Sequence, residues 1–289
     1  MDGMVGLRES ALIESYLDGW RLEKDGEPFS TASSLLAPVR RDGLPLMVKI
    51  ATSPEERLGN QFMLYWRGNA VADVLEHDSA AVLVARAEGP RSLTAMAEAG
   101  DEHDDDATEV LCLTAQRLHA DGGPVPTGTI ELDAWFSGLF AHADGVGGIY
   151  ERAAGTARVL LDDSTERVPL HGDLHHGNVL DFGAGGGGDG SALDGWLAID
   201  PKGLVGDPAF EYATILCNPT PEVATRPGRF VRQLEVIARC TGISPELLTR
   251  WTFAMSGLAA AWIAQDDLEP GHWLEVGSQA EWLLLSGRV

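Results

Sequence analysis

Apolar positions Leu7, Leu12, Ile13 and Leu17 recur at helical spacing and predict a helix over residues 1–20. The rhythm then shortens. Short apolar runs interrupted by Asp25-Gly26 and Asp42-Gly43, dipeptides suited to hairpin turns, predict a small antiparallel sheet with a strand over 44–50. Ser53-Pro54-Glu55-Glu56 predicts a helix start, since serine caps, proline fits the first turn and glutamates suit the positive end of the dipole. That helix carries Leu58, Phe62, Leu64 and Tyr65 and ends by Gly68. Two more strand-like runs cover 70–75 and 80–86 before Glu88-Gly89-Pro90 breaks the pattern. A domain boundary placed there gives 1–87 and 88–289.

Past that boundary the period is mostly helical. Helices are expected over 92–99, over 107–120 behind an acidic lead-in from Asp101 to Asp106, over 131–142 and over 147–161. Another runs from Ser244-Pro245-Glu246 to Gln265, and a last one follows Pro270-Gly271. Trp251, Trp262 and Trp273 recur every eleven residues and read as a core stripe. Residues 179–200 read as a hairpin whose tip is the glycine-rich stretch 184–190. A sheet-dominated first part and a helical remainder make the chain α+β.

Composition narrows the class. With 289 residues, 44% of them hydrophobic and 22% charged, the chain reads as an ordinary globular protein long enough for two cores. No apolar run reaches membrane-spanning length, and the first residues lack the basic, apolar and small-residue regions of a signal peptide, so a cytoplasmic location is expected. Cys112, Cys217 and Cys240 are too scattered for a disulfide framework or a zinc knuckle and read as three buried small apolar residues in a reducing compartment. Twenty-one basic residues against 44 acidic ones give a net charge of −23. Such a surface disfavours nucleic acid and anionic membranes. Solubility alone explains it, and the sharper reading is a polycationic small substrate.

The densest chemistry is HGDLHHGN, residues 171–178. A metal site is one reading of its three histidines, but His175 and His176 are adjacent and cannot both face one ion from a regular element. The spacing His171-x-Asp173-x-x-x-x-Asn178 suits phosphoryl transfer better. There the protein orients an acceptor hydroxyl and holds Mg²⁺ against crowded phosphates. Asp173 can accept the hydroxyl proton, Asn178 can offer its amide oxygen to a metal, and Asp200, at the end of the returning strand, brings a second carboxylate.

His171-x-Asp173-Leu174-x-x-x-Asn178 resembles the catalytic loop of protein kinases, and Asp200-Pro201-Lys202-Gly203 stands where they have Asp-Phe-Gly. PLHGDLHHGNVLDFG and GWLAIDPKGLVGDPAFEYA look like the aminoglycoside phosphotransferases, in the branch of streptomycin 6-kinases and hydroxyurea phosphotransferases, and LMVKIATSPEERLGN extends the likeness toward the N-terminus. The resemblance implies a bilobal protein-kinase-like fold, with an antiparallel-sheet N-lobe over 1–87 that binds nucleotide and a mostly helical C-lobe over 88–289. It implies Asp173 as catalytic base, His171 as the residue that holds the loop together, and Asn178 and Asp200 as Mg²⁺ ligands. Lys49 would hold the phosphates of ATP, with a partner among Glu55, Glu56 and Gln61. Ser33 and Ser34 stand where kinases carry a glycine-rich loop, and Arg86, Ala87 and Glu88 would form the adenine-binding hinge. Glu211, Asp266, Asp267, Glu269 and Trp262 are candidates for the acceptor site, and Asp207 for a helix cap.

The activity implied is ATP- and Mg²⁺-dependent transfer of the γ-phosphoryl group to a hydroxyl of a small, cationic acceptor such as streptomycin, or to hydroxyurea. The alternatives are another small-molecule kinase, acting on choline, a sugar or an amino alcohol, and a nucleotide-binding pseudokinase. Oligomeric state is not legible, because core and interface stripes look alike.

Overall fold

The computed structural model describes residues 6–120, 123–183 and 193–289, and the stretch 184–190 lies outside them. In chain order the elements are α1 (Leu7–Trp20), β1 (Glu23–Lys24), β2 (Phe29–Ser30), β3 (Ser34–Arg41), β4 (Leu44–Ala51), α2 (Pro54–Tyr65), β5 (Val74–His77) and β6 (Ala81–Ala85). There follow α3 (Leu93–Ala99), α4 (Asp101–His119), β7 (Ile130–Glu131), α5 (Leu132–Trp135), α6 (Ser137–Val146), α7 (Ile149–Asp163), β8 (Val168–Leu170), β9 (Val179–Asp181), β10 (Trp196–Ala198) and β11 (Leu204–Gly206). The chain ends in α8 (Glu211–Leu216), α9 (Pro221–Ala224), α10 (Arg229–Thr241), α11 (Pro245–Gln265) and α12 (His272–Ser286). The architecture is α+β.

The described residues divide into two compact units, one within Met1–Arg91, Gly123–Gly128 and Leu180–Gly203, the other within Ser92–Gly122, Thr129–Val179 and Leu204–Val289. Segment 180–203 therefore returns to the first unit. The run at 70–75 explains how: only from Val74 is it a strand of the main sheet, while Val71 bridges to Ala198, the Ala72 amide donates to the Ala198 carbonyl and the Ala198 amide to that of Ala70.

The first unit is built on an antiparallel sheet of order β1-β3-β4-β6-β5, with β2 added to β3. Side chains alternate between its faces. Leu35, Ala37 and Val39 of β3, Leu46, Val48 and Ile50 of β4, and Ala81 and Leu83 of β6 form one core with Ile13 and Leu17 of α1. The residues between them (Leu36, Met47, Lys49, Val82 and Val84) line a cavity on the other face. Both faces are thus covered, which is why 44–50 and 80–86 read as nearly unbroken apolar runs.

In the second unit α11 is buried on nearly all sides, packed by α6, α7, α8, α10 and α12. The close approach of α7 depends on Gly257, where a Cβ would lie 2.5 Å from that of Ala153. Trp251 of α11 is fully buried and meets Phe136 and Phe210, but Trp273 belongs to α12, so the tryptophan stripe is broken at 266–271. Helix α4 starts at Asp101, earlier than the apolar period suggests, and its acids do more than favour the dipole. Asp104 forms a buried bidentate pair with Arg229 of α10 at 2.7 and 3.1 Å, and Asp105 pairs with Arg232. Removing one partner of such a buried pair strands the other charge, at a cost of about 3–5 kcal/mol. The helix expected over 131–142 is divided at Phe136 into α5 and α6.

Candidate active site

In the first unit, the cavity of about 340 Å³ has Leu36, Met47, Val82 and Val84 of the sheet on its walls, together with Leu180, Phe182 and Ile199 around β9 and β10. Lys49, Asp200, Thr31 and Ser34 supply its polar groups, and Arg86 and Ala87 its far wall. A slot with apolar walls and a cation among its polar groups suits a planar ring that carries an anionic tail.

The partner of Lys49 is Glu56. Ser53 caps α2 by accepting the Glu56 amide at 3.2 Å, and this fixes Glu56 in the first turn. Its carboxylate lies 2.7 Å from the Lys49 Nζ and accepts hydrogen bonds from the Ser33 and Ser34 hydroxyls, both at 3.0 Å. Lys202 approaches the same carboxylate at 3.3 Å. Burial pushes the Glu56 carboxyl up, but the charge of Lys49, aided by Lys202, more than offsets this and holds it below the usual range. Lys49 also pairs with Asp200. Asp200 has a left-handed backbone, φ 63°, a conformation that aspartate shares with glycine and asparagine more than with other residues. Beside it, a Cβ on Gly59 of α2 would come within 2.3 Å of the Pro201 carbonyl oxygen, so only glycine lets the helix sit so close to the Asp200 loop.

These contacts revise two expectations. The Ser33 and Ser34 hydroxyls bind Glu56, and the Ser34 amide donates to Thr31 Oγ1 at 3.1 Å. In the hinge segment, the Arg86 amide donates to the Pro45 carbonyl at 3.1 Å, and its guanidinium pairs with Asp25 and Glu88. Glu88 also pairs with Arg40 and does not line the cavity. Just after it lies an anchor that the sequence does not advertise. The buried Asp181 carboxylate at the end of β9 accepts a fork from Arg91 (2.9 and 2.8 Å) and the Arg91 amide at 3.0 Å, while the Asp181 carbonyl accepts the Gly89 amide at 2.9 Å. Arg91 holds the Asp181 carboxyl well below the usual carboxylate range.

In the second unit, residues 171–178 form a tight loop between β8 and β9. The Asn178 Nδ2 donates to the Asp173 carbonyl at 2.9 Å and approaches its Oδ2 at 3.4 Å, so the amide fixes the loop's curvature around Asp173. The His171 ring is buried, and its Nδ1 accepts the Asp173 amide at 3.3 Å. His175 Nδ1 accepts the Gly177 amide at 3.0 Å, and its Nε2 lies 3.7 Å from Asp173 Oδ1. His171 and His175 therefore each shape the loop through a separate contact. His176 is buried, and burial, with Arg229 and His175 nearby, pushes its pKa well below the ordinary value.

Glu211 supports this loop from below and is corrected as an acceptor-site candidate. It is 0% exposed, and its oxygens accept the amides of His171 at 2.6 Å and Gly172 at 2.9 Å. His119, the last residue of α4, sits 3.4 Å from it. Burial pushes the Glu211 carboxyl up, and His119 with the loop amides brings it below the ordinary value. Asp207 caps the turn Pro208–Phe210 by accepting the Ala209 amide at 2.9 Å. Asp266, Asp267 and Glu269 lie exposed on the turn after α11, and Trp262 packs edge-on against Trp135 at 5.1 Å.

Residues 19–267 match the model of a family described as aminoglycoside/hydroxyurea antibiotic resistance kinase. The chain is 41% identical over 255 residues to a streptomycin 3''-kinase of Klebsiella pneumoniae, covering 86% of this chain and 91% of that one. It is 30% identical over 274 residues to a streptomycin 6-kinase of Streptomyces griseus, covering 89% and 84%. Its fold matches that of the aminoglycoside phosphotransferase APH(4)-Ia, solved as a thermostable mutant in ternary complex with ADP and hygromycin B, with a TM-score of 0.60 over 95% of this chain and 98% of that one at 14% identity. A buried lysine–glutamate pair beside an aspartate in one unit, an Asp173 loop braced from beneath in the other, and a family match across most of the sequence lead to one assignment: the chain belongs to the aminoglycoside/hydroxyurea antibiotic resistance kinases.

Proposed function

We propose that the protein transfers the γ-phosphoryl group of ATP to a hydroxyl of streptomycin or a closely similar aminoglycoside. The observation that carries this reading is the slot that contains Lys49, a cation fixed by Glu56 and Asp200 among mostly apolar walls. In this reading adenine occupies the aliphatic part, near Ala87, and Lys49 holds phosphate oxygens. Asp173 takes the proton of the acceptor hydroxyl as its oxygen attacks the γ-phosphorus. His171, Glu211 and Asn178 keep the loop shaped for that.

Mg²⁺, when bound, neutralises charge on the phosphates. Two residues have side chains of the kind that would hold it. Asp200 offers carboxylate oxygens, and the NH₂ end of Asn178 is taken by Asp173, so its remaining donor is the amide oxygen, a hard ligand of the kind Mg²⁺ takes.

Identity to the 3''-kinase (41%) exceeds that to the 6-kinase (30%), which favours the 3''-hydroxyl as the position modified. The net charge of −23 suits an acceptor with guanidinium groups. The test is ADP release from ATP and Mg²⁺ across streptomycin, hydroxyurea, choline and simple sugars. Turnover should require streptomycin or a near relative. Turnover with choline or a sugar and none with any aminoglycoside would overturn the reading.

A further inference from the structure

The three cysteines are scattered in sequence, but two of them meet in the second unit, and Cys240 is only partly buried. Helices α4 and α10 pack side by side through a ladder of contacts in matching order. Asp104 reaches Arg229, Asp105 reaches Arg232, Glu109 reaches Arg239 at 2.9 Å, and the Gln116 Nε2 donates to the Cys240 carbonyl at 2.9 Å. Cys112 lies three residues after Glu109 and four before Gln116, so it shares the face of α4 that they present to α10. The Cys112 thiol is fully buried, and it and the Cys240 thiol are neighbours across this seam.

We propose that Cys112 and Cys240 form an oxidisable dithiol, a site for hydroperoxides that closes to an intramolecular disulfide joining α4 to α10. The two thiols differ as the chemistry requires. The neighbouring Cys112 thiol brings the Cys240 thiol down to about 7, with Arg239 helping, which favours its thiolate. That same proximity and burial push the Cys112 thiol well above its ordinary value. The Cys240 thiolate attacks the terminal oxygen of the hydroperoxide. The O–O bond breaks, an alcohol or water departs with a proton, and Cys240 carries a sulfenic acid. The Cys112 sulfur then attacks the Cys240 sulfur and the S–O bond breaks. The departing hydroxide takes the Cys112 proton and leaves as water. Two thiols lose two electrons, and the hydroperoxide gains them.

The site borders groups that brace the Asp173 loop. The Tyr212 ring meets that of His119 at 6.3 Å. His119 lies two turns beyond Cys112 on α4. The proposal does not depend on which acceptor the enzyme uses.

The test is treatment of the reduced full-length protein with hydrogen peroxide, followed by intact mass and non-reducing peptide mapping. The expected result is a loss of about 2 Da, the two thiol hydrogens, with a cross-linked peptide joining 112 to 240. A Tm raised by several degrees and restored by a thiol reductant should accompany it, because the bridge closes a long loop of the unfolded chain. In Cys112→Ser, oxidation should stop at a sulfenic acid on Cys240 that a dione probe captures. Peroxide that adds oxygen to Cys240 in the wild-type protein without linking it to Cys112, or that leaves both thiols unchanged, would overturn the proposal.

Discussion

Glu56 is the residue on which the first unit's polar cluster turns. It carries one carboxylate within reach of two serine hydroxyls and two lysines, and it keeps Lys49 beside Asp200. Glu56→Gln keeps the hydroxyl contacts but removes the charge that holds Lys49. We expect kcat/KM to fall by roughly tenfold or more, and Lys49→Met to cost on the order of 10²–10³. Steady-state kinetics with ATP as varied substrate measure both, and an unaffected Glu56→Gln enzyme would remove the pair from catalysis. Asp181 makes a different prediction, about acid. Its folded pKa is depressed, so its contribution to stability is complete above the unfolded value, near pH 4, and is lost as pH falls through the folded one. Asp181→Asn should be less stable at pH 7 and should lose less of its remaining stability than the wild type on going below pH 4, as urea melts across pH would register.

Elements explain why some of this was legible and some was not. The cap Ser53-Pro54-Glu55-Glu56 located α2 and put Glu56 in its first turn, but sequence spacing alone did not choose among Glu55, Glu56 and Gln61. That choice depends on how α2 lies against β4, a tertiary fact. Likewise 44–50 was readable as a strand, while the alternation that turns Lys49 toward the cavity was hidden by apolar residues on both faces. Glu211 looked like a free acid because nothing in GDPAFEYA reveals that two loop amides 39 and 40 residues earlier need an acceptor. The Asp104–Arg229 pair spans 125 residues and was equally invisible. The motif loop was legible because its contacts are local: Asn178 to Asp173, His171 to Asp173 and His175 to Gly177 all close within five residues. At this scale Gly59 is the sharpest probe. Gly59→Ala inserts a methyl group 2.3 Å from the Pro201 carbonyl oxygen and must push α2 from the Asp200 loop. Overpacking of this kind costs about 1–3 kcal/mol. A Tm lowered by several degrees, with weaker stabilisation by ATP in a thermal-shift titration, is the expected outcome.

At the scale of the whole molecule, one unit holds a cation-bearing slot, to which the proposed function assigns the nucleotide, and the other a braced loop that presents a carboxylate. Around both, 44 acidic residues against 21 basic ones set up a field that draws in cations. Salt screens such a field over about 8–10 Å at physiological strength. The kcat/KM for streptomycin should therefore fall as ionic strength rises, whereas kcat at saturating acceptor should change little. Among the described residues no helix is long and apolar enough to cross a membrane.

The central claim is that Asp173 drives phosphoryl transfer to an aminoglycoside hydroxyl, and the mass of the acceptor tests it most directly. After incubation with ATP and Mg²⁺, the wild-type enzyme should convert streptomycin to a species heavier by about 80 Da, one phosphoryl group, and Asp173→Ala, folded by circular dichroism, should leave it unmodified. Phosphorylated streptomycin from the Asp173→Ala protein at an undiminished rate, or an unmodified drug after treatment with active wild-type enzyme, would contradict it.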